Sequence, residues 1–108
     1  MNEIVDRWSR LVRDVEQGYA QTIDDYTNDL SIRRWPEDAR PLLTGEAVEW
    51  MDHRLEPLDA RFSEATKEAA RQLPGVGTEH WWECRIPKVL IGELAQDVAN
   101  LGLRGDRA

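Results

Sequence analysis

Cysteine is almost missing from this chain: Cys84 stands alone among 108 residues. One thiol makes neither an intramolecular disulfide nor a cysteine zinc cage, and its solitude fits a reducing, cytoplasmic setting. Lysine is scarce too, with two lysines beside twelve arginines, a usage that points to a GC-rich coding sequence. Nothing approaches the ~20 consecutive apolar residues of a membrane span, so no membrane partner is expected. The opening Met1-Asn2-Glu3-Ile4-Val5-Asp6-Arg7 is charged and has no apolar core of the kind a secretory leader carries. Basic charge is also short, 14 residues against 21 acidic, for a net charge of −7. The excess is greatest over residues 35–73, with nine acidic and five basic side chains. An acidic surface repels phosphate backbones, so direct nucleic-acid binding is not expected, while a protein partner is compatible with it. No nucleophile elbow, phosphate-cradling glycine loop or histidine–glutamate zinc motif occurs.

What the chain does have is helical periodicity. Residues 44–72 place Val48, Met51, Leu55, Leu58, Phe62, Ala65 and Ala69 at steps of three and four, one unbroken apolar seam. Pro57 falls inside the seam without shifting its phase, which predicts one helix kinked there rather than two. Thr44 is placed to cap it, and Glu46 suits its positive end. Upstream, Ile4, Val5, Trp8, Leu11, Val12, Val15, Tyr19, Ile23, Tyr26 and Leu30 form a second stripe, predicting a first helix over 3–34 of roughly 48 Å. Gly18 lies within it but leaves the phase intact. Trp35-Pro36 ends that helix, with room for one helical turn before Leu43. Two long helices with a short connection are expected to lie antiparallel.

Leu73-Pro74-Gly75-Val76-Gly77 breaks the pattern. In His80-Trp81-Trp82-Glu83-Cys84-Arg85-Ile86 the alternation has a strand period, but a lone strand leaves its backbone groups unpaired. It is expected to lie as an extended loop over the hairpin. Pro87 is expected to open a third helix, about 87–101, with Leu90, Ile91, Leu94, Val98 and Leu101 inward, Gly102 closing it and Leu103 folding back. Arg104-Gly105-Asp106-Arg107-Ala108 is expected to fray. The predicted architecture is all-α and a single helical domain over 1–108: a long antiparallel hairpin (3–34 and 44–72), a tryptophan-rich loop and a shorter third helix.

Two functional readings follow. The long stripes exceed what a short third helix covers, and exposed tryptophan anchors interfaces. Trp35 at the turn, Trp50 at the seam's edge, and adjacent Trp81 and Trp82 are the interface candidates; Trp8 belongs to the core. The corresponding function is protein–protein interaction, as an inhibitor, an immunity-like protein or a regulatory partner, or as a homodimer, with no cofactor and no catalytic residue.

The alternative is enzymatic. Glu46, Glu49 and Asp52, followed by His53 and Glu56, recur at spacings that let helical carboxylates share a divalent cation. Asp25 and Asp29, near the end of the first helix, would approach them in an antiparallel hairpin. The pattern is similar to one half of the metal site of all-α nucleotide pyrophosphohydrolases, which implies Mg²⁺ as cofactor and inward-facing carboxylates. On a helical wheel, however, the row from Glu46 to Glu56 lies at about 40–160° while the seam centres near 310°, so a solvated face is expected. His80 and Cys84 meet only if their segment is helical, and Cys84 is expected as a small buried apolar residue.

Overall fold

A computed structural model describes residues 2–104, without the side chain of Asn2; the expected fraying at 105–108 and any capping by Asn2 lie outside the described residues. The chain is mostly helical, with a small two-stranded sheet. Helix α1 (Asn2–Gln17) is followed by α2 (Ile23–Leu30), a 3-10 turn, α3 (Arg34–Ala39), a second 3-10 turn, and α4 (Gly45–Ala65). Strand β1 (Thr66–Glu68) leads to a loop and a 3-10 turn at Trp81–Cys84; strand β2 (Arg85–Pro87) and helix α5 (Gly92–Asn100) complete the order.

The single first helix expected over 3–34 is broken. Gly18 has a φ of 120°, a conformation open to glycine and strained for other residues. Thr22 then starts α2 afresh, its hydroxyl accepting from the Asp25 amide at 3.2 Å. The break leaves the stripe intact: Val5, Trp8, Leu11, Val12 and Val15 on α1, and Tyr19, Ile23, Tyr26 and Leu30 after it, are all buried. A fold-back keeps the same residues inward because both arms turn their apolar sides to one core.

This changes the pairing. Arg33 meets Asp59 and Arg40 meets Asp52, so the α2–α3 arm runs opposite to α4. Trp8 packs on Asp59 and Phe62, and Val15 shares a cleft with Ala65, so α1 runs in the same sense as α4. The expected hairpin of 3–34 against 44–72 is therefore not formed as such. The arm antiparallel to α4 is residues 23–42, and α1 lies beside both. Thr44 caps α4 as expected, accepting from the Ala47 amide at 3.2 Å. Met51, Leu55, Leu58 and Phe62 of the seam are buried. Pro57 sits on the exposed side of α4, and the helix continues through it.

The seam does not stay helical to residue 72. Helix α4 stops at Ala65, and Thr66, Lys67 and Glu68 pair antiparallel with Pro87, Ile86 and Arg85. Arg85 fixes that end: its guanidinium donates to Ser63 O at 3.3 Å, to Thr66 O at 2.8 Å and to Thr66 Oγ1 at 2.8 Å. Ser63 O lies in the last turn of α4, where it also accepts from the Thr66 amide, so Arg85 ties that turn to the first residue of β1. The strand expected to lack a partner thus has one, on a segment whose alanines and charged residues favour helix by propensity alone. Pro87 ends β2 rather than opening a helix; α5 begins at Gly92, and Leu90 forms a parallel bridge with Tyr19. The C-terminus of α5 closes as the sequence suggests. Gly102 has a φ of 67°, its amide donates to Ala99 O, and the Leu103 amide donates to Val98 O.

Candidate functional site

A chain of charged groups joins α3 and its two flanking 3-10 turns to α4. Arg33, just before α3, is 4% exposed. Its Nε and Nη2 donate to the two carboxylate oxygens of Asp59 at 3.0 and 2.7 Å, and its Nη1 donates to Glu37 at 2.9 Å. Asp59 also accepts from the Trp8 indole N–H at 3.0 Å. Glu37 in turn accepts from Arg40, which donates both Nη groups to Asp52. The result is a chain of alternating charge, Asp59–Arg33–Glu37–Arg40–Asp52, with Trp8 at one end.

The electrostatics follow from the packing. Burial by itself would lower the Arg33 pKa; the hydrogen bonds it donates to Asp59 and Glu37 outweigh that and hold the guanidinium above its ordinary value. Burial pushes Glu37 up, but the guanidinium groups of Arg40 and Arg33 bring it below the usual carboxylate range. The hydrogen bonds that Arg40 donates to Asp52 and Glu37 raise its pKa. Each charge is engaged by its neighbour, and a permanently protonated arginine takes no proton. The assembly is a clamp joining α1, α3 and α4.

Trp82 completes the clamp. Its ring lies 4.7 Å from the Arg33 guanidinium carbon and stacks on His80 at 4.4 Å with 5° between planes. Glu83 is 1% exposed and accepts from the His80 amide at 3.0 Å. Its other oxygen stands 3.5 Å from Arg34 Nε, close enough for charge attraction but without hydrogen-bond geometry. Among the interface candidates, Trp82 is therefore a correction: it is 2% exposed, while Trp81 is 45% exposed. Sequence alternation could not say which of the pair turns inward. A 3-10 turn separates adjacent side chains by about 120°, sending one in and one out. Trp35 is 65% and Trp50 38% exposed, and the Arg54 guanidinium lies over the Trp50 ring at 4.8 Å.

The carboxylates of the enzymatic alternative do not converge. Glu46, Glu49, His53 and Glu56 are exposed on α4, and Asp52 is held by Arg40. Asp25 and Asp29 lie at the opposite end of the α2–α3 arm, where Asp25 accepts from Thr22 and Asp29 accepts from the Tyr19 hydroxyl at 2.7 Å. They do not approach Glu46, because the antiparallel partner of early α4 is Arg40, not residues 25–29. Among the described residues no group of three or more histidine, cysteine, aspartate or glutamate side chains is placed to hold a metal ion. His80 precedes the 3-10 turn and Cys84 is its last residue, half-buried.

Sequence reasoning missed Arg33 and Asp59. The signal was faint: Arg33 follows Leu30 at the end of the first stripe, and Asp59 lies beside Leu58 within the second, four residues from Leu55 and so on the same face. It also missed a surface cleft between α1 and the α2–α3 arm. One part, about 380 Å³, is lined by Arg7, Arg10, Leu11, Asp14, Asn28 and Asp29 among others. An adjoining part, about 200 Å³, is lined by Glu3, Ile4, Arg7, Ile32 and Trp35. The two share Arg7 and Ile32. No protein family, curated protein or solved structure matches this chain.

Proposed function

We propose that this protein acts by binding another protein, as an inhibitor, an immunity-like protein or a regulatory subunit, in a reducing cytoplasmic compartment. One observation carries the reading: Trp35, 65% exposed, projects beside the half-buried Ile4 and Ile32 on a scaffold locked by the Arg33 clamp. An exposed tryptophan held on rigid elements is the kind of anchor from which interfaces draw most of their affinity. A second copy of the chain is the simplest partner of that kind. Among the described residues no helix is long and apolar enough to cross a membrane, and the dispersed carboxylates give no support to the metal-dependent alternative.

The test combines light scattering with affinity capture from the source cell, using wild-type protein and Trp35→Ala. The expected result is a defined homodimer or a stoichiometric partner that the variant loses by tenfold or more. A compact monomer whose captured proteins are the same with and without Trp35 would refute the proposal.

A further inference from the structure

The larger part of the cleft between α1 and the α2–α3 arm holds both signs of charge in equal number. Arg7 and Arg10 line its 380 Å³ together with Asp14 and Asp29, a volume in the range of small-molecule sites. The signs are separated along the cleft. The Tyr19 hydroxyl donates to Asp29 at 2.7 Å, which places Asp29 at the Asp14 end of α1. Burial, then Asp29, with Asp25 and Asp14 adding to it, pushes the Tyr19 pKa above its ordinary value, so these carboxylates act on one place. Arg7 and Ile32 also reach the adjoining part beside Trp35, which places Arg7 at the opposite end. The two signs are not joined to each other. Arg33, Arg34, Arg40 and Arg61 each pair with a carboxylate, but the side chains of Arg7, Arg10 and Asp14 have no ion pair or hydrogen bond among the described residues. Arg10 and Asp14 are four apart in the weaker order for a helical pair, basic residue first. Glu3 and Asp6, one turn ahead of the arginines, are not joined to them either, and Glu3 lines only the adjoining part.

We infer that this cleft binds a short peptide of two or three residues with both termini free, its ammonium group at Asp14 and Asp29 and its carboxylate at Arg7 and Arg10. From Arg7 to Asp14 is about 10 Å along α1, and three extended residues span about the same length. The forked guanidinium groups suit a carboxylate. Leu11 and Ile32 give the central side chain an apolar strip, and Asn28 and Ser31 offer hydrogen bonds to the peptide groups. A nucleic-acid strand or an acidic segment is repelled by the aspartates, and a polyamine by the arginines. Only a ligand carrying both signs satisfies both ends. The inference goes beyond the protein-binding reading and does not depend on it, because Trp35 lines only the adjoining part.

The experiment is isothermal titration calorimetry of the full chain with tripeptides of alanine, a central leucine or phenylalanine, and alanine. Each is used with free termini, N-acetylated and C-amidated. The variants are Asp14→Asn and Arg7→Gln/Arg10→Gln; these side chains are exposed, and circular dichroism checks that each variant keeps the wild-type fold. The expected outcome is sub-millimolar binding of the free peptides, weakened at least tenfold by either cap and by raised salt. In Asp14→Asn acetylation should then cost little while amidation still weakens binding, and in the arginine variant the reverse. No binding at millimolar peptide, capped peptides bound as well as free ones, or cap effects that survive the matching variant would overturn the assignment. Leucine alone bound as tightly as the tripeptides would overturn it in favour of a free amino acid. Peptide binding as expected in a protein whose captured partners do not change with Trp35→Ala would support this site while the protein-binding reading falls.

Discussion

Replacing Arg33 with methionine removes the guanidinium but keeps a long, flexible side chain against Trp82. Three hydrogen bonds disappear, two to Asp59 and one to Glu37. Asp59 then remains at the core margin without its counter-charge, and Glu37 loses one of its two guanidinium partners. Breaking a buried ion pair from one side costs about 3–5 kcal/mol. The Asp59 and Glu37 side chains retain 19% and 24% exposure, so water reaches them and the lower end, about 3 kcal/mol, is expected. Arg40 still pairs with Glu37, which limits the loss there. A domain of this size has about 5–15 kcal/mol in total, so the variant would stay folded at room temperature and melt roughly 12–20 °C lower. Urea denaturation followed by tryptophan fluorescence measures the difference. The double variant Arg33→Met/Asp59→Asn provides the decisive comparison. Asparagine still accepts from the Trp8 indole but carries no charge, so the double variant should regain about 1–2 kcal/mol of the loss. An Arg33→Met protein within 1 kcal/mol of wild type, or a double variant no better than the single one, would refute the reasoning.

Other substitutions and conditions test other parts of the fold. Gly92 has a φ of 57°, and a Cβ there would stand 2.8 Å from the Ala20 carbonyl oxygen; Gly92→Ala should cost at least ~2 kcal/mol, read from its urea midpoint. Gly45, at the start of α4, has open space around it, so Gly45→Ala should be neutral or stabilising by up to ~1 kcal/mol in the same assay. Tyr26 is fully buried, donates to Arg85 O at 2.8 Å, and burial raises its pKa well above 10. Its contribution is intact below pH 10 and is lost as pH rises further, because the unfolded chain ionises first; the expected slope is about 1.4 kcal/mol per pH unit, removed in Tyr26→Phe. The folded Glu37 has a pKa below 4.5, so its contribution is present above that value and fades as pH falls through the lower folded one; acid titration of Glu37→Gln should show a shallower loss.

The apolar stripes were legible from spacing alone, because burial selects side chains at helical intervals whether or not the helix is continuous. For that reason the stripe could not reveal the break at Gly18. Residues before and after it face one core in either arrangement, and the periodicity is silent about chain direction. The readable signal was local: a glycine followed by Thr22-Ile23-Asp24-Asp25, a helix start written inside a supposed helix. The strand at Thr66–Glu68 was illegible for the opposite reason. Lys67, Glu68 and the alanines after them favour helix, and the groups that tie down the end of α4, the Arg85 guanidinium and the Lys88 amide, come from some twenty positions further on. At the candidate surface, Trp35 announced itself by sitting before a proline at a chain turn. The cleft beside it did not, since Ile4 and Ile32 meet only after the fold-back.

The last pieces of the interior come from far along the chain. Trp82, Ile86, Leu94, Val98 and Leu103 are all buried, and the Leu103 carbonyl accepts from Ala70. During synthesis α1 through α4 leave the ribosome before these side chains emerge to cover them. Arg33 has its carboxylates by then but not the indole beneath it. The emerging protein therefore carries an uncovered greasy patch until its last third is released, an interval in which chaperones and neighbouring chains compete for the ground that the later residues will occupy.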